Sequence, residues 1–285
     1  MEEHRNEIRI TKDDLKDLPA RDENGNKGVF GKTLVIAGDQ KICGAAYLSA
    51  KAALLSGIGM VKIYTEQANR IPLATLFPEA LLETYAEETW SPEDLQDALD
   101  WADAVLIGPG IGLGKTAEHI LHYVLDNVAR PLVLDADALN LVSADPEMLS
   151  AVDGTCVLTP HVMEMSRLTG KSISEIKEDP VMTARAFAGE VRATVVLKDS
   201  KTVIADPDGM CWIYEDGCSA LSTAGSGDVL AGLITGFMTR FRGEDLPLAA
   251  LAVAAHGECG NIMAQRKSEA TVIASDLFEA LPSLI

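Results

Sequence analysis

The chain has 285 residues, 47% of them hydrophobic and 5% aromatic, which supports a sizeable and mostly aliphatic core. Its formal net charge of −19 argues against binding to nucleic acid or to anionic membrane surfaces. No stretch approaches about 18 uninterrupted apolar residues and the start has no signal-peptide character, so we expect a cytoplasmic protein with no membrane partner. Five cysteines without a C-x-x-C motif favour reduced thiols over a disulfide framework or a zinc site.

The first regular elements follow a charged N-terminal arm (residues 1–30) and form a β-α unit. Residues 33–37 predict a strand, and a helix of small residues follows from Gly44 to Gly57. The glycines between them do not form a G-x-G-x-x-G dinucleotide fingerprint. Ala45, at the start of the helix, is more typical of close helix–sheet packing than of ligand contact.

A second glycine-rich loop, G-P-G-I-G-L-G-K-T, follows a helix at 92–101 and an apolar strand. It fails the P-loop pattern G-x-x-x-x-G-K-T by one position, because Pro109 stands where the first glycine is required. We therefore predict that Gly108, Gly110 and Gly112 form a backbone platform for a ligand, with Lys115 at the start of the next helix.

Acidic residues follow the next buried strand, at 131–134, which ends in Asp135 and Asp137. At the carboxyl end of a strand they could hold a cation, and Asp137 is equally suited to helix capping, so both interpretations stay open. The helix before this strand carries His119 and His122, which we expect to face solvent rather than to bind a metal.

His161 and Glu164 follow a further strand and a break at Pro160. They lie three residues apart, which predicts one face of a helix. A polar ligand site and a capping interaction at a surface helix explain the pair equally well.

A β-hairpin is predicted after a helix at 181–191, with strands at 195–198 and 202–205, and C-W-I-Y forms a third strand. Lys198 ends an otherwise apolar strand, where an ammonium group is costly unless it meets an anion or the surface. Apolar strands alternate with helices along the chain, which indicates one α/β/α domain over 1–285 with a mostly parallel sheet and an antiparallel edge hairpin.

The stretch L-S-T-A-G-S-G-D-V-L-A-G, from residue 221, combines a glycine-rich turn with the start of an apolar helix. Free N–H groups at a helix start favour negative charge, so this turn predicts an anion cradle. Asp228, in the first turn, is expected to be held ionised there and to orient a hydroxyl group that receives a phosphoryl group. A capped glycine turn without a ligand is the alternative. The predicted cradle consists of Ala224, Gly225, Ser226 and Gly227.

Several motifs in one order resemble those of the ADP/ATP-dependent NAD(P)H-hydrate dehydratases of the ribokinase-like superfamily. They are K-G-V-F-G, L-V-I-A-G, C-G-A-A, I-G-P-G-I-G, L-D-A-D-A-L-N, L-T-P-H-x-x-E, V-L-K-D-S-K-T and S-T-A-G-S-G-D. The resemblance implies a ribokinase-like three-layer α/β/α sandwich. It also implies a lyase that returns the S form of NADH hydrate and NADPH hydrate to NADH and NADPH, with ADP or ATP as co-substrate and Mg²⁺ as cofactor.

The resemblance also implies roles for individual residues. Ala45, Gly110 and His161 would contact the hydrated nicotinamide nucleotide, and Asp228 would act as base at its hydroxyl. Glu164 would help to organise Mg²⁺, a transfer that crosses subfamilies. Lys198, Asp199, Ser200, Lys201 and Thr202 would hold the adenine nucleotide together with Gly227.

Two sequence departures bear on loop shape. Val162 and Met163 stand where relatives usually have proline and glycine, and the first glycine loop lacks a double glycine. Larger relatives carry an epimerase domain ahead of this one, so we expect a separate epimerase protein here, and a homo-oligomer, by resemblance a tetramer. A small-molecule kinase of the same superfamily and a nucleotide sensor without catalysis are the competing interpretations.

Overall fold

The structure, a computed structural model, describes residues 6–152 and 155–285. These residues form one mixed sheet with helices on both faces. The strands are β1 (Glu7–Arg9), β2 (Lys32–Ile36), β3 (Met60–Glu66), β4 (Leu81–Tyr85), β5 (Ala104–Ile107), β6 (Leu132–Leu134), β7 (Cys156–Leu158), β8 (Thr194–Leu197), β9 (Thr202–Ala205) and β10 (Cys211–Tyr214). The helices are α1 (Gly44–Leu55), α2 (Arg70–Leu76), α3 (Pro92–Trp101), α4 (Lys115–Asn127), α5 (Asp137–Val142), α6 (Val162–Thr169), α7 (Ile173–Glu178), α8 (Pro180–Val191), α9 (Ser226–Arg240), α10 (Leu248–Arg266) and α11 (Leu277–Ala280).

The strand order is β1-β10-β9-β8-β7-β6-β5-β2-β3-β4, and only β9 runs against its neighbours among the strands described. The predicted hairpin is thus confirmed, with β9 spanning residues 202–205 as expected. The structure adds β1, from the predicted N-terminal arm, which pairs in parallel with β10 and covers its outer edge. Edge coverage of this kind protects unpaired backbone groups.

Residues of each central strand alternate between two apolar layers. Val35 of β2 belongs to the apolar layer that includes α1, α9 and α10, whereas Leu34 and Ile36 belong to the layer that includes α3, α4 and α8. Because both faces are buried, the strands read as continuous apolar runs rather than as alternating ones.

The helix that carries the glycine-rich turn, α9, lies between α1 and α10. A Cβ atom on Gly232 would lie 2.1 Å from the Ser49 carbonyl oxygen of α1, so only glycine allows this approach. The small residues of α1 allow this close approach, and α10, which is also rich in small residues, packs on α9 as well. Close packing on two sides holds the start of α9 at the carboxyl edge of the sheet.

Two further features concern the part of the chain that the structure describes. All five cysteines are free thiols. No helix there has the length and the apolar character needed to cross a membrane.

Candidate active site

Three neighbouring strands, β6, β7 and β8, place polar side chains at their carboxyl ends. Asp135 after β6 is almost fully buried, at 1% exposure. Its Oδ1 atom accepts hydrogen bonds from Thr159 Oγ1 at 2.6 Å and from Lys198 Nζ at 2.7 Å. A cation at this strand end was one of two open interpretations, and the positive charge next to Asp135 is the ammonium group of Lys198.

The glycine platform after β5 lies beside these groups. A Cβ atom on Gly108 would lie 1.8 Å from the Asp135 carbonyl oxygen, so the loop backbone can approach β6 only through glycine. The N–H of Gly112 donates to Asp137 Oδ2 at 2.9 Å, so this carboxylate braces the loop instead of capping a helix. Lys115 begins α4, as predicted, and not a P-loop.

Ala45 and Gly110 come together at the rim of this platform. A Cβ atom on Gly110 would lie 3.2 Å from the Cβ of Ala45 and 3.0 Å from Cγ2 of Ile42. The two residues assigned to the dinucleotide by resemblance thus share one surface, next to an exposed apolar side chain. Ile42 was not predicted as a site residue.

Gly225 sets the entry of the chain into α9. Its φ of +88° lies in the left-handed region, and a Cβ atom there would lie 2.4 Å from Cδ1 of Leu48. The N–H of Ser226 donates to the Thr223 carbonyl oxygen at 3.3 Å. Over residues 6–152 and 155–285 no acceptor is found for the N–H groups of Ala224, Gly225, Gly227 and Asp228. The turn therefore keeps free donors, although Ser226 does not contribute its own amide.

The expected ionisation of Asp228 is corrected by the structure. We expected the helix start to hold this carboxylate ionised, and hence to make it a weak base. Burial, together with the negative charges of Asp135 and Asp137, instead raises the pKa of Asp228 to about 7, although Lys198 acts in the opposite direction. Desolvation and like charge thus outweigh the favourable helix end. A carboxyl group with this pKa is suited to accept a proton near neutral pH.

Lys198 stands between the carboxylates and the turn. Its Nζ atom lies 3.5 Å from the position that a Cβ atom on Gly227 would occupy. Burial lowers the pKa of the ammonium group, but the carboxylates of Asp135, Glu164 and Asp228 more than offset this, and the pKa is raised overall. Lys198 is therefore a permanent positive charge within reach of an anion at the turn.

His161 and Glu164 form a reciprocal capping pair at the start of α6. His161 Nδ1 accepts from the N–H groups of Met163 and Glu164 at 3.0 and 3.1 Å, and its own N–H donates to Glu164 Oε2 at 2.8 Å. Capping, one of the two alternatives, is therefore confirmed. Because Nδ1 is an acceptor, Nε2 carries the proton of the neutral ring. Burial, Lys198 and Arg167 lower the pKa of His161.

A cavity of about 630 Å³ adjoins these groups between the hairpin, α9 and α10. It brings together seven of the predicted residues: His161, Lys198, Asp199, Ser200, Thr202, Ser226 and Gly227. It does not include Lys201, whose ammonium group pairs with Glu215 at 2.7 Å. Asp228 is not among the lining residues of this cavity, but its carboxyl group is close enough to Asp135, Asp137 and Lys198 for their charges to shift its pKa.

The second half of this cavity was not predicted. It is lined by Tyr214, Cys218, Leu221, Leu230, Val253, His256 and Gly257. A Cβ atom on Gly257 would lie 2.1 Å from Cε1 of Tyr214, so the helix backbone packs directly on the ring. The small-residue run of α10 indicated close packing, but nothing in its spacing assigned it to a ligand site.

A larger cavity, of about 910 Å³, lies elsewhere, next to Cys156, Arg192 and Asp208. None of the predicted site residues lines it, so we place the candidate site at the smaller cavity. His119 and His122 face solvent, as expected.

The described ranges offer a divalent metal no ready cage of protein ligands. In the described ranges no group of three or more His, Cys, Asp or Glu side chains is arranged to hold one. Mg²⁺ commonly binds through one or two carboxylates together with nucleotide phosphates and water, and the carboxylates beside Lys198 fit that mode. Glu164 is buried and already accepts from His161, so its metal role stays a prediction.

The fold and the site together define a ribokinase-like protein with a nucleotide-sized cavity, a glycine turn at a helix start and a carboxylate beside it. A family model described as NAD(P)H-hydrate dehydratase matches residues 33–283. This chain therefore belongs to the NAD(P)H-hydrate dehydratase family, as the sequence motifs indicated.

Individual relatives agree with this membership. The ADP-dependent (S)-NAD(P)H-hydrate dehydratase of Bacillus subtilis is 34% identical over 93% of this chain and 92% of its own. A crystal structure of the B. subtilis ADP/ATP-dependent enzyme, co-crystallised with ATP and Mg²⁺, has a TM-score of 0.83 at 30% identity over 97% of each chain. The bifunctional NAD(P)H-hydrate repair enzyme of Moorella thermoacetica is 36% identical over 94% of this chain. This chain spans about half the length of such bifunctional relatives.

Proposed function

We propose that this protein dehydrates the S form of NADH hydrate and NADPH hydrate to NADH and NADPH, with ADP or ATP as co-substrate. Family membership and the names of the relatives support the reaction. The observation that carries the proposal is the position of Asp228, a half-buried carboxyl group with a pKa raised by burial to about 7, beside a turn with free N–H groups. Together they supply a base and an anion site at one place.

The two ligands are assigned to the two sides of Lys198. The nucleotide occupies the cavity, with its phosphates toward Lys198 and Gly227 and its base toward the apolar half that includes Leu221 and Val253. The hydrated nicotinamide ring lies on the side of Ala45 and Gly110. This places the hydroxyl group of the hydrate next to Asp228 and the terminal phosphate next to the turn.

The reaction then needs a proton transfer from the ring hydroxyl group, phosphorylation of the hydroxyl oxygen and cleavage of the bond between this oxygen and the ring carbon. Asp228 accepts the proton of the ring hydroxyl while the terminal phosphoryl group passes to that oxygen. The ring nitrogen's lone pair expels phosphate as the carbon–oxygen bond breaks, and loss of a proton from the adjacent ring carbon restores the dihydropyridine. The free N–H groups of the turn and the ammonium group of Lys198 stabilise the charge on the migrating group. Mg²⁺, when bound with the nucleotide, would neutralise charge on the phosphate oxygens.

A conversion assay tests the proposal. Purified protein is mixed with ADP or ATP, Mg²⁺ and each hydrated cofactor, and both the absorbance of the reduced nicotinamide and the release of inorganic phosphate are followed. We expect the two signals to rise in equal amounts. A stable phosphorylated product without recovery of absorbance would make the protein a small-molecule kinase, and binding without phosphate release would make it a sensor.

Assembly, location and a separate epimerase stay predictions. We propose a cytoplasmic homo-oligomer, by resemblance a tetramer. Its mass in solution, measured by light scattering, tests this state.

A further inference from the structure

His256 is a buried side chain of α10 that contacts the first residue of α9. Its Nε2 atom lies 3.0 Å from the carbonyl oxygen of Ser226 and 3.1 Å from Oγ of the same residue. The exposed fraction of His256 is 7%, and Ser226 is also buried. One imidazole nitrogen therefore holds both the backbone and the side chain at the helix start.

The geometry fixes which nitrogen carries the proton. A carbonyl oxygen can only accept a hydrogen bond, so Nε2 of His256 must be the donor. The same N–H is shared with Ser226 Oγ, which acts as the second acceptor. The hydrogen of the Ser226 hydroxyl is then free, and within the described part of the chain no other partner is found for it.

That hydroxyl group borders the nucleotide cavity, which Ser226, Gly227 and His256 all line. The backbone N–H of Ser226 is already used, since it donates to the Thr223 carbonyl oxygen at 3.3 Å. Ser226 can therefore contact an anion in the cavity only through its side chain, and the orientation of that side chain depends on His256.

We propose that the Ser226 hydroxyl group donates to the phosphate of the bound nucleotide, and that His256 is the positioning residue that aims this hydroxyl. The inference rests on the nucleotide site proposed above. Ser226 thus joins the anion site through Oγ rather than through its amide. His256 touches neither phosphate nor substrate and does not exchange a proton during the reaction.

The charge state of His256 agrees with a positioning role. Burial lowers its pKa to about 4, and Lys198 contributes to the decrease, whereas the hydrogen bond to Ser226 opposes it. The ring is therefore neutral throughout the range in which Asp228 becomes ionised. In the neutral ring the contact with the Ser226 carbonyl oxygen selects the tautomer with its one proton on Nε2.

A double-mutant cycle tests the proposal. ADP affinity is measured by calorimetry with Mg²⁺ and without the hydrated substrate, for Ser226→Ala, His256→Leu and the double variant. We expect each single change to weaken ADP binding about 10- to 100-fold, the usual effect of a hydrogen bond to a charged group. Since both changes disable one donor, His256→Leu should cost less than about threefold in the Ser226→Ala background. Equal cost in both backgrounds would overturn the proposal.

A conservative variant separates positioning from packing and from acid–base chemistry. The side-chain amide of His256→Gln can still donate to Ser226, so we expect ADP affinity within about threefold of the unmodified protein and an unchanged pH profile of kcat. Loss of a limb of that profile would make His256 an acid or base and would contradict the positioning role. His122→Gln, at an exposed histidine of α4, is the matched control and should change nothing.

The outcome stays decisive if His256→Leu does not fold. Unchanged ADP affinity in Ser226→Ala would overturn the proposal by itself. Because ADP binding is measured without turnover, a result that overturns the roles of Ser226 and His256 would not affect the proposed dehydration. Conversely, absent dehydration with the expected ADP affinities would refute the reaction but not the Ser226–His256 pair.

Discussion

Replacing Asp228 with asparagine should stabilise the protein at alkaline pH. Burial raises the pKa of this carboxyl group from 3.8 to about 7, so the folded state holds a proton that the unfolded chain releases. Stability therefore falls as pH rises through this interval. At about 1.4 kcal/mol per pH unit, the loss approaches about 4 kcal/mol above about pH 8 and is absent below about pH 4. Partial exposure to solvent reduces the expected value to roughly 2 to 4 kcal/mol.

Urea unfolding of Asp228→Asn and the unmodified protein at about pH 8.5 and about pH 5 measures this difference. We expect a more stable variant at the higher pH and a much smaller gap at the lower pH, where the buried carboxyl group is already neutral. Asp126→Asn, at an exposed position of α4, is the control and should leave the free energy of unfolding unchanged. A gap of the same size at both pH values, or no gain at high pH, would refute the raised pKa.

Three further predictions concern the same site. The pH profile of kcat/KM should fall about tenfold per pH unit below about pH 7, because Asp228 must be ionised to accept a proton; a limb near pH 4 would contradict this. Lys198→Met should lower the free energy of unfolding by about 3 to 5 kcal/mol, measured with denaturant, because it leaves Asp135 buried without its partner at 2.7 Å. Adding Asp135→Asn should recover much of the loss, and failure to do so would mean that the ion pair is not its cause. Gly225→Ala should lower the free energy of unfolding by about 1 to 3 kcal/mol, because a Cβ atom there would lie 2.4 Å from a leucine side chain at a φ of +88°. Gly44→Ala is the control, since its Cβ atom would meet nothing within 4 Å. Equal melting temperatures for the two variants would show that a glycine is not required at position 225.

The periodicity of apolar residues and the turn residues were sufficient to predict most of the fold from the sequence. The helix Pro92–Trp101 begins at a serine–proline pair and lies where it was predicted, and so does strand Thr202–Ala205. Both signals are local, which is why one sequence reveals them. Strand β1 was not predicted, because Glu7–Arg9 carries two charges in three residues and becomes a strand only by pairing with β10.

The residues of the candidate site likewise include some that a local sequence pattern predicts and others that depend on distant contacts. Gly225 and Asp228 were found because a glycine turn before an apolar helix is a local pattern. His256 was not found, because a single histidine in a run of small residues has no spacing to connect it with Ser226, 30 residues away. The raised pKa of Asp228 also could not be predicted from the sequence, because it depends on burial and on the charge of Asp135, which follows a strand distant in sequence.

The proposed reaction depends most on Asp228, which is to accept the proton of the hydroxyl group that receives the phosphoryl group. The most direct measurement compares Asp228→Asn with the unmodified protein for ADP-dependent recovery of reduced nicotinamide from NADH hydrate, with ADP affinity measured on the same samples. We expect the variant to bind ADP with nearly normal affinity and to leave the hydrate unconverted. Near-normal turnover by this variant would contradict this role of Asp228.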